Sequence, residues 1–185
     1  TLFMEENDMA GLRSIFAKKQ PAHTCAAVIV AAGSARRMGG IDKVLAPLGE
    51  LPVLAHTLYV FQDSPAVDEI VVVTRPDLLV EVGRLCKEYG LDKVKKVVAG
   101  GSERTNSVLA GLREVSPQAE LIAIHDGARP LLPPQVLEET VAQAARTGAA
   151  APALPVTDTI KVADENGVVR STPERTTLFA VQTPQ

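Results

Sequence analysis

The chain has 185 residues, a formal net charge of −3 and a composition that is 46% hydrophobic and 22% charged. This length suits one domain with a sizeable core, and the balance of residue types is that of a globular protein. The acidic balance and the scarcity of aromatic residues (no Trp, two Tyr and four Phe) argue against a general nucleic-acid binder, since single strands are held by stacking on aromatic rings.

The sequence predicts a cytoplasmic protein without a membrane span. Its longest uncharged apolar runs are shorter than a transmembrane helix, and acidic residues near the start do not fit a secretory signal peptide. Cys25 and Cys86 do not form a disulfide framework, and the spacing of cysteines and histidines does not indicate zinc. We expect both thiols to be reduced.

Residues 1–24 are predicted to be an N-terminal extension of one domain that spans residues 25–185. Apolar residues recur at helical spacing between residues 9 and 16, and Pro21 ends the pattern. This indicates a short docking helix or a frayed terminus, to which we assign no chemistry.

The stretch from Ala26 to Lys43 carries the first chemical signal. Its apolar start, residues 26–32, is typical of a strand buried on both faces. The loop that follows would lie at the carboxyl end of this strand, where open α/β sheets bind ligands. Small residues at the end of the strand and the start of the loop, Ala31, Ala32 and Gly33, allow close approach to the backbone. The loop also contains three cations, Arg36, Arg37 and Lys43.

This loop is predicted to bind a nucleoside triphosphate. A triphosphate carries about four negative charges, of which backbone amides neutralise only a part. The positions of Gly33, Gly39 and Gly40 do not match the dinucleotide fingerprint, and no Walker A loop is present. The alternative is a surface loop with solvated arginines.

Helices and strands alternate along the rest of the domain. Predicted strands cover residues 69–74, 93–99, 121–125 and 149–155, and predicted helices cover residues 52–62, 77–89, 103–115 and 134–148. The alternating Lys and Val residues of 93–99 indicate a half-exposed edge strand. This order predicts a mostly parallel α/β sheet with helices on both faces.

The pattern changes from residue 156. Two alternating segments flank the sequence Asp164-Glu165-Asn166-Gly167, and Asn-Gly in such a context is a strong hairpin signal. Two strands alone are marginally stable in water. Residues 156–175 are therefore predicted to protrude as a β-arm that packs on a second subunit.

The segment GGSERTNSV, Gly100–Val108, follows the third strand at the same edge of the sheet. Its glycines expose backbone amides at a helix start, and Ser102 and Ser107 are able to hydrogen-bond a base edge. The alternative is an ordinary capped helix with Ser102 as its N-cap and Arg104 solvated.

The segment HDGARP, His125–Pro130, follows the fourth strand at that edge. Asp126 and Arg129 are suited to a sugar hydroxyl, a metal or a phosphate, and the alternative is a local pair that closes a turn. Thr159 lies in the predicted hairpin and Arg175 follows it. Both are candidate site residues, although a polar surface on the arm would explain their presence equally well.

Five motifs occur in order: AAG…RMG with Lys43, GGSERTNSV, HDGARP, PVTDTIK and TPQ. Together they resemble the 2-C-methyl-D-erythritol 4-phosphate cytidylyltransferases over residues 26–185. The resemblance implies a Rossmann-like nucleotidyltransferase fold, a homodimer joined through the β-arm, and Mg²⁺ as cofactor. It implies CTP and methylerythritol phosphate as substrates, CDP-methylerythritol and pyrophosphate as products, and a place in non-mevalonate isoprenoid synthesis.

The resemblance also implies residue roles. Arg37 and Lys43 would hold the triphosphate and stabilise charge on the α-phosphorus. The nucleotide would be bound by Ala31, Ala32, Gly33, Gly101, Ser102, Ser107, Asp126 and Gly127. The sugar-alcohol phosphate would be bound by Asp126, Arg129, Thr159 and Arg175, with Arg175 serving the neighbouring subunit. Asp126 would lie near the metal, and His125 would orient its loop rather than catalyse.

Three departures from the family pattern are visible. Asp42 stands where Pro is usual, which would put a negative charge beside Lys43 and leave the loop less rigid. Ser102 replaces an acidic residue of some members. The family also continues beyond the closing TPQ with a further triphosphate-binding lysine that this sequence does not contain. The alternative functions are a ribitol-5-phosphate cytidylyltransferase and a noncatalytic nucleotide-binding sensor.

Overall fold

The computed structural model describes residues 23–33 and 42–185. The predicted helix near residues 9–16 and the loop residues Arg36 and Arg37 lie outside these ranges. The structure therefore describes Gly33, where the first loop begins, and Asp42–Lys43, where it ends.

The described part of the chain forms ten strands and four α-helices. The strands are β1 (Cys25–Ala31), β2 (Pro47–Leu48), β3 (Leu51–Pro52), β4 (Glu69–Thr74), β5 (Val94–Ala99), β6 (Leu121–Asp126), β7 (Ala153–Pro155), β8 (Val162–Ala163), β9 (Val169–Ser171) and β10 (Phe179–Val181). The helices are α1 (Val53–Asp63), α2 (Leu79–Glu88), α3 (Arg104–Leu112) and α4 (Pro134–Thr147). Short 3₁₀ turns cover Pro76–Leu78 and Arg175–Thr177.

Four of the described strands form a parallel sheet in the order β5-β4-β1-β6. The register pairs Ala31 with Thr74, Thr74 with Ala99, and Val30 with Asp126. The carboxyl ends of all four strands therefore meet at one edge of the sheet. Strand β5 is an edge strand, as its alternating sequence predicted.

Helices cover both faces of this sheet, as predicted. On one face, Ala27, Ile29 and Ala31 of β1 join a buried core with residues of α1, α2 and α4. On the other face, α3 packs so closely that a Cβ added at Gly111 would lie 2.4 Å from Val28 Cγ1. Since successive strand residues point to opposite faces, the apolar run of β1 is buried on both sides.

The predicted fifth strand is only partly correct. Of residues 149–155, only Ala153–Pro155 is a strand, and it pairs antiparallel with β10 in a separate two-stranded ribbon. Pro152 and Pro155 lack a backbone N–H, which limits the pairing this segment can make. The free edge of β6 instead meets residue 185, because Ile124 and Gln185 exchange two backbone hydrogen bonds of 2.8 and 2.9 Å.

The predicted hairpin forms between β8 and β9. Its turn is closed by the Gly167 N–H, which donates to the Asp164 carbonyl at 3.0 Å, while the Asp164 carboxylate accepts from the amides of Asn166 and Val168. Gly167 alone in this turn has a positive φ, of 79°. The turn is thus a type I turn followed by a left-handed glycine rather than a two-residue Asn-Gly loop.

Candidate active site

Three loops meet at the carboxyl edge of the parallel sheet. A Cβ added at Gly100 would lie 2.5 Å from Ala32 Cβ, and one added at Gly127 would lie 2.9 Å from Ala31 Cβ. Only glycine allows these backbones to approach so closely. The structure thus brings together three segments that the sequence predicts to bind a nucleotide.

The loop between β5 and α3 is held by a buried hydroxyl. Ser107 is only 2% exposed; its Oγ accepts from the Gly101 N–H and donates to the Glu103 carbonyl, both at 3.2 Å. Glu103 is the N-cap of α3 and makes no side-chain capping bond, so the interpretation of Ser102 as the cap is wrong. Ser102 is exposed at the edge, and Ser107 fixes the backbone beneath it.

Asp126 lies between two arginines. Its Oδ1 accepts from Arg104 Nη2 at 3.1 Å and its Oδ2 accepts from Arg129 Nε at 3.1 Å. The local Asp126–Arg129 pair was one of the predicted alternatives. Arg104 was not predicted as a site residue, because its partner lies 22 positions away and nothing in the sequence indicates which carboxylate it meets. The cluster carries a net charge of +1, which suits an anionic ligand.

Arg129 also contacts the segment that closes the chain. Its Nη1 donates to Gln182 Oε1 at 2.6 Å, and the Gln182 backbone N–H donates to the Pro152 carbonyl at 2.8 Å. Gln182 follows β10, so it connects the β7–β10 ribbon to the end of β6. No sequence pattern indicates this contact, which joins residues 53 positions apart.

A cavity of about 510 Å³ opens beside Arg129. Its lining is largely apolar, with a polar side made by Arg129, Gln182 and Thr183; the other lining residues include Leu131, Leu132, Val136 and Leu154. The hydroxyl of Thr183 is buried and has no hydrogen-bond partner among the described residues. The cavity therefore combines an apolar wall with one polar side.

The remaining predicted residues are placed less completely. Lys43 is exposed and precedes Val44, which is buried in the core. Arg37, the other predicted catalytic residue, lies outside the described residues. Thr159 is exposed, and Arg175 Nη1 donates to the Thr157 carbonyl at 3.1 Å, so within one chain this guanidinium rests against the base of its own arm.

Comparison with known proteins decides the family. A sequence model described as 2-C-methyl-D-erythritol 4-phosphate cytidylyltransferase (IspD) matches residues 25–185. Curated proteins of that name from Dehalococcoides mccartyi and Alkaliphilus metalliredigens are each 46% identical to this chain; the matches cover 86% and 85% of it and 70% and 66% of those proteins. This chain belongs to the 2-C-methyl-D-erythritol 4-phosphate cytidylyltransferase family.

Solved structures agree with the IspD assignment. A 4-diphosphocytidyl-2C-methyl-D-erythritol synthase from Anaerococcus prevotii has a TM-score of 0.75 and 31% identity, over 88% of this chain and 68% of that one. The cytidylyltransferase from Thermus thermophilus has a TM-score of 0.63 and 28% identity, over 85% and 67%. The predicted α/β nucleotidyltransferase fold is therefore confirmed.

The buried side chain of His125 supports the turn at residues 126–129 of this IspD site. The side chain is 1% exposed, stacks at a tilt against Phe61 with ring centroids 5.1 Å apart, and hydrogen-bonds the Arg129 carbonyl through Nε2 at 3.1 Å. Burial lowers the pKa of His125 from its ordinary value of about 6.5, and the bond to Arg129 offsets only part of that effect. A neutral ring that donates to a backbone carbonyl orients the loop, as predicted.

The buried His125 predicts a pH dependence of stability. The pKa of His125 is lower in the folded than in the unfolded protein. Below about pH 6.5 the unfolded chain therefore binds a proton more readily than the folded chain, and the free energy of unfolding decreases as the pH is lowered. We expect Tm to decrease between about pH 7.5 and about pH 5.5, and His125→Gln to reduce that slope. His56→Gln, which removes a histidine bonded to the Leu48 carbonyl at 2.7 Å, is the control. Equal slopes for wild type and His125→Gln would contradict the assignment.

Proposed function

We propose that this chain transfers the cytidylyl group of CTP to 2-C-methyl-D-erythritol 4-phosphate, giving CDP-methylerythritol and pyrophosphate in non-mevalonate isoprenoid synthesis in the cytoplasm. One observation carries the proposal: the tight loops at Ala31–Gly33, Gly100–Gly101 and Asp126–Gly127 meet at one sheet edge in a member of this family. No described helix is long and apolar enough to cross a membrane.

The chemistry needs no general base. A phosphate oxygen of the acceptor is already ionised at neutral pH, so it attacks the α-phosphorus directly, and the bond from the α-phosphorus to the pyrophosphate oxygen breaks. Negative charge grows on the α-phosphoryl oxygens and the leaving pyrophosphate, and fixed cations stabilise it. The residues that supply this charge are Arg37 and Lys43. His125, buried and held by Arg129, has no role in proton transfer.

The acceptor would bind in the cavity beside Arg129. Arg129 would hold its phosphate. Methylerythritol phosphate carries a C-methyl group and ribitol phosphate has none, so apolar contacts to that methyl group would distinguish the two acceptors. One methyl or methylene group is worth about 10–200-fold in such a pocket.

Pyrophosphate release from CTP tests the activity and separates the alternatives. With methylerythritol phosphate as acceptor, we expect kcat/KM to exceed that with ribitol 5-phosphate by at least about tenfold. The opposite preference would assign the chain to the ribitol reaction. Binding of CTP without turnover with either acceptor would favour the nucleotide sensor.

Cytosine is expected to be selected by a rigid loop. The Gly101 amide is fixed by Ser107, so backbone groups of residues 100–102 present a set arrangement to the pairing edge of the base. Cytosine and uracil exchange donors and acceptors there, and each unpaired group costs about 1–3 kcal/mol. UTP should therefore have a kcat/KM at least about 10²-fold below that of CTP. Comparable values for the two nucleotides would overturn the base-site assignment, and Ser107→Ala should narrow the difference.

Mg²⁺ fits this site as a companion of the nucleotide. Among the described residues no group of three or more His, Cys, Asp or Glu side chains forms a protein-only metal site. Mg²⁺ is usually held by one or two carboxylates together with substrate phosphates, and Asp126 supplies one carboxylate at the site edge. Asp126 would hold the ion, which when bound neutralises phosphate charge. Both carboxylate oxygens of Asp126 accept hydrogen bonds from arginines, so one of these bonds must break before Asp126 binds the ion.

We also propose a homodimer joined by the arms. Apolar side chains of the hairpin and its flank are 40–54% exposed in the single chain: Ile160, Val162, Val168 and Val169. Burying them against a second arm removes this surface from water. The same exchange would carry Arg175 away from its own Thr157 to the acceptor phosphate of the neighbouring subunit.

A further inference from the structure

The carboxylate of Asp42 is bound rather than free beside Lys43. Its Oδ2 lies 2.6 Å from Arg75 Nη1, so the two side chains form an ion pair. Its Oδ1 accepts from the Val44 N–H at 3.2 Å, and its carbonyl accepts from the amides of Leu45 and Ala46. Asp42 therefore closes a turn and contacts a cation, whereas residues 34–41 of the loop, which Asp42 is expected to leave less rigid, lie outside the described residues.

Arg75 fixes the other end of this contact. It directly follows Thr74, the last residue of β4, and its Nε and Nη2 donate to the Asp77 carboxylate at 3.1 and 2.9 Å. Hydrogen bonds to Asp77, and then the charge of Asp42, raise the pKa of Arg75, so it is always charged. The Asp42 and Arg75 side chains are only 17% and 25% exposed. Solvent therefore weakens the attraction between their charges less than in an ordinary surface ion pair.

Along the chain, Lys43 lies between Asp42, which forms this ion pair, and Val44, which belongs to the core. The next residue, Val44, is buried, and its carbonyl accepts from the Leu54 N–H at 2.9 Å. Leu54 in turn lies beneath the catalytic edge, since its Cδ1 would be 3.2 Å from a Cβ added at Gly127. The Lys43 backbone is thus held on one side by Arg75, at the end of β4, and on the other by the elements that support Gly127.

We propose that the Asp42–Arg75 ion pair is a positioning device for Lys43, holding the lysine backbone so that its ammonium group meets the triphosphate. The inference rests on the proposed function, in which Lys43 stabilises the transition state. Positioning matters here because a displacement of about 1 Å in a catalytic group costs about 10²-fold in rate. Asp42 and Arg75 contact neither substrate in this scheme and act through Lys43.

Asp42→Asn is the sharpest test, because asparagine keeps the acceptor for the Val44 amide and removes only the charge. We expect kcat to fall between about tenfold and about 10²-fold, with a smaller change in KM for CTP. Arg75→Gln should give the same loss, and Arg75→Lys should restore part of it. In a Lys43→Ala background, Asp42→Asn should change kcat by less than about twofold, since coupled residues do not add.

Asp77→Asn is the matched control, because it removes the exposed partner of the same arginine and leaves Asp42 in contact. We expect it to retain wild-type kcat, and the Tm of every variant identifies loss of folding. A loss of kcat in Asp42→Asn that is equally large with and without Lys43 would overturn the proposal, as would wild-type kcat in Asp42→Asn and Arg75→Gln.

A second readout does not depend on turnover. Acylation of the Lys43 amine by an activated acetate ester, followed by mass spectrometry, should be slowed by CTP in the wild type and less so in Asp42→Asn. If the wild type releases no pyrophosphate, the proposed function fails, and this footprint still decides the role of the ion pair. Equal CTP protection in wild type and Asp42→Asn would show that the pair does not position Lys43.

Discussion

Lys43→Ala should lower kcat by about 10²–10³-fold while changing the KM for CTP far less. Charge moves from the α-phosphorus to pyrophosphate as the bond breaks, so the contact of the ammonium group strengthens along the reaction. An interaction made mainly in the transition state appears in kcat rather than in KM. Steady-state pyrophosphate release at varied CTP and saturating acceptor measures both constants.

Lys87→Ala is the control for this experiment, since it removes an exposed lysine from the last turn of α2. It should retain wild-type kinetics. A Lys43→Ala variant with near-normal kcat would show that Lys43 does not stabilise the transition state. It would favour the interpretation of the loop cations as solvated surface residues. A raised KM with unchanged kcat would mean that Lys43 binds the ground state and the transition state equally.

The parallel sheet was predictable because its signals are local. Strands β1, β4, β5 and β6 are short apolar or alternating runs bounded by turn residues, and the structure places each within one residue of the predicted bounds. The helices between them follow from periodicity and from the prolines and glycines that bound them. Once the order of elements is known, the common edge of the loops follows from the parallel crossovers.

The end of the domain was less predictable because its pairing is non-local. Residues 149–155 match a buried strand in composition, yet Ala153–Pro155 pairs with Phe179–Val181 across the whole arm. No periodicity in either segment specifies its partner. The strand was therefore recognised, whereas its sheet was not.

The site shows the same division. The Asp126–Arg129 pair spans three positions, and turn chemistry alone indicates it. The contacts of Asp126 with Arg104, of Arg129 with Gln182 and of Asp42 with Arg75 join different elements. Each charged partner has many equally suitable counterions in the sequence. Only the fold determines which of them comes within reach.

The crossing-arm arrangement predicts that activity returns when two inactive variants are mixed. Within one chain Arg175 contacts the Thr157 carbonyl, and the hairpin exposes a row of valines that a second arm would cover. Pairing two arms about a two-fold axis buries this surface in both subunits alike. Each active site would then combine Lys43 of one chain with Arg175 of the other.

Mixing Arg175→Ala chains with Lys43→Ala chains, each nearly inactive alone, distinguishes the two arrangements. With crossing arms, a heterodimer contains one site with both defects and one with neither. Random pairing makes about half of the dimers heterodimers, so about one quarter of the wild-type activity should return. Differently tagged chains allow the heterodimers to be isolated before the assay.

A second mixture provides the control that makes this result specific. Lys43→Ala and Asp126→Ala both lie in the body of the domain, so a heterodimer of these two variants has one defect in each site and should stay inactive whether or not the arms cross. Recovery in the Arg175 mixture alone therefore requires that Arg175 serve the other subunit. If purified Arg175→Ala/Lys43→Ala heterodimers remain inactive, each site contains one defect, so Arg175 acts within its own chain and the crossing-arm arrangement is wrong.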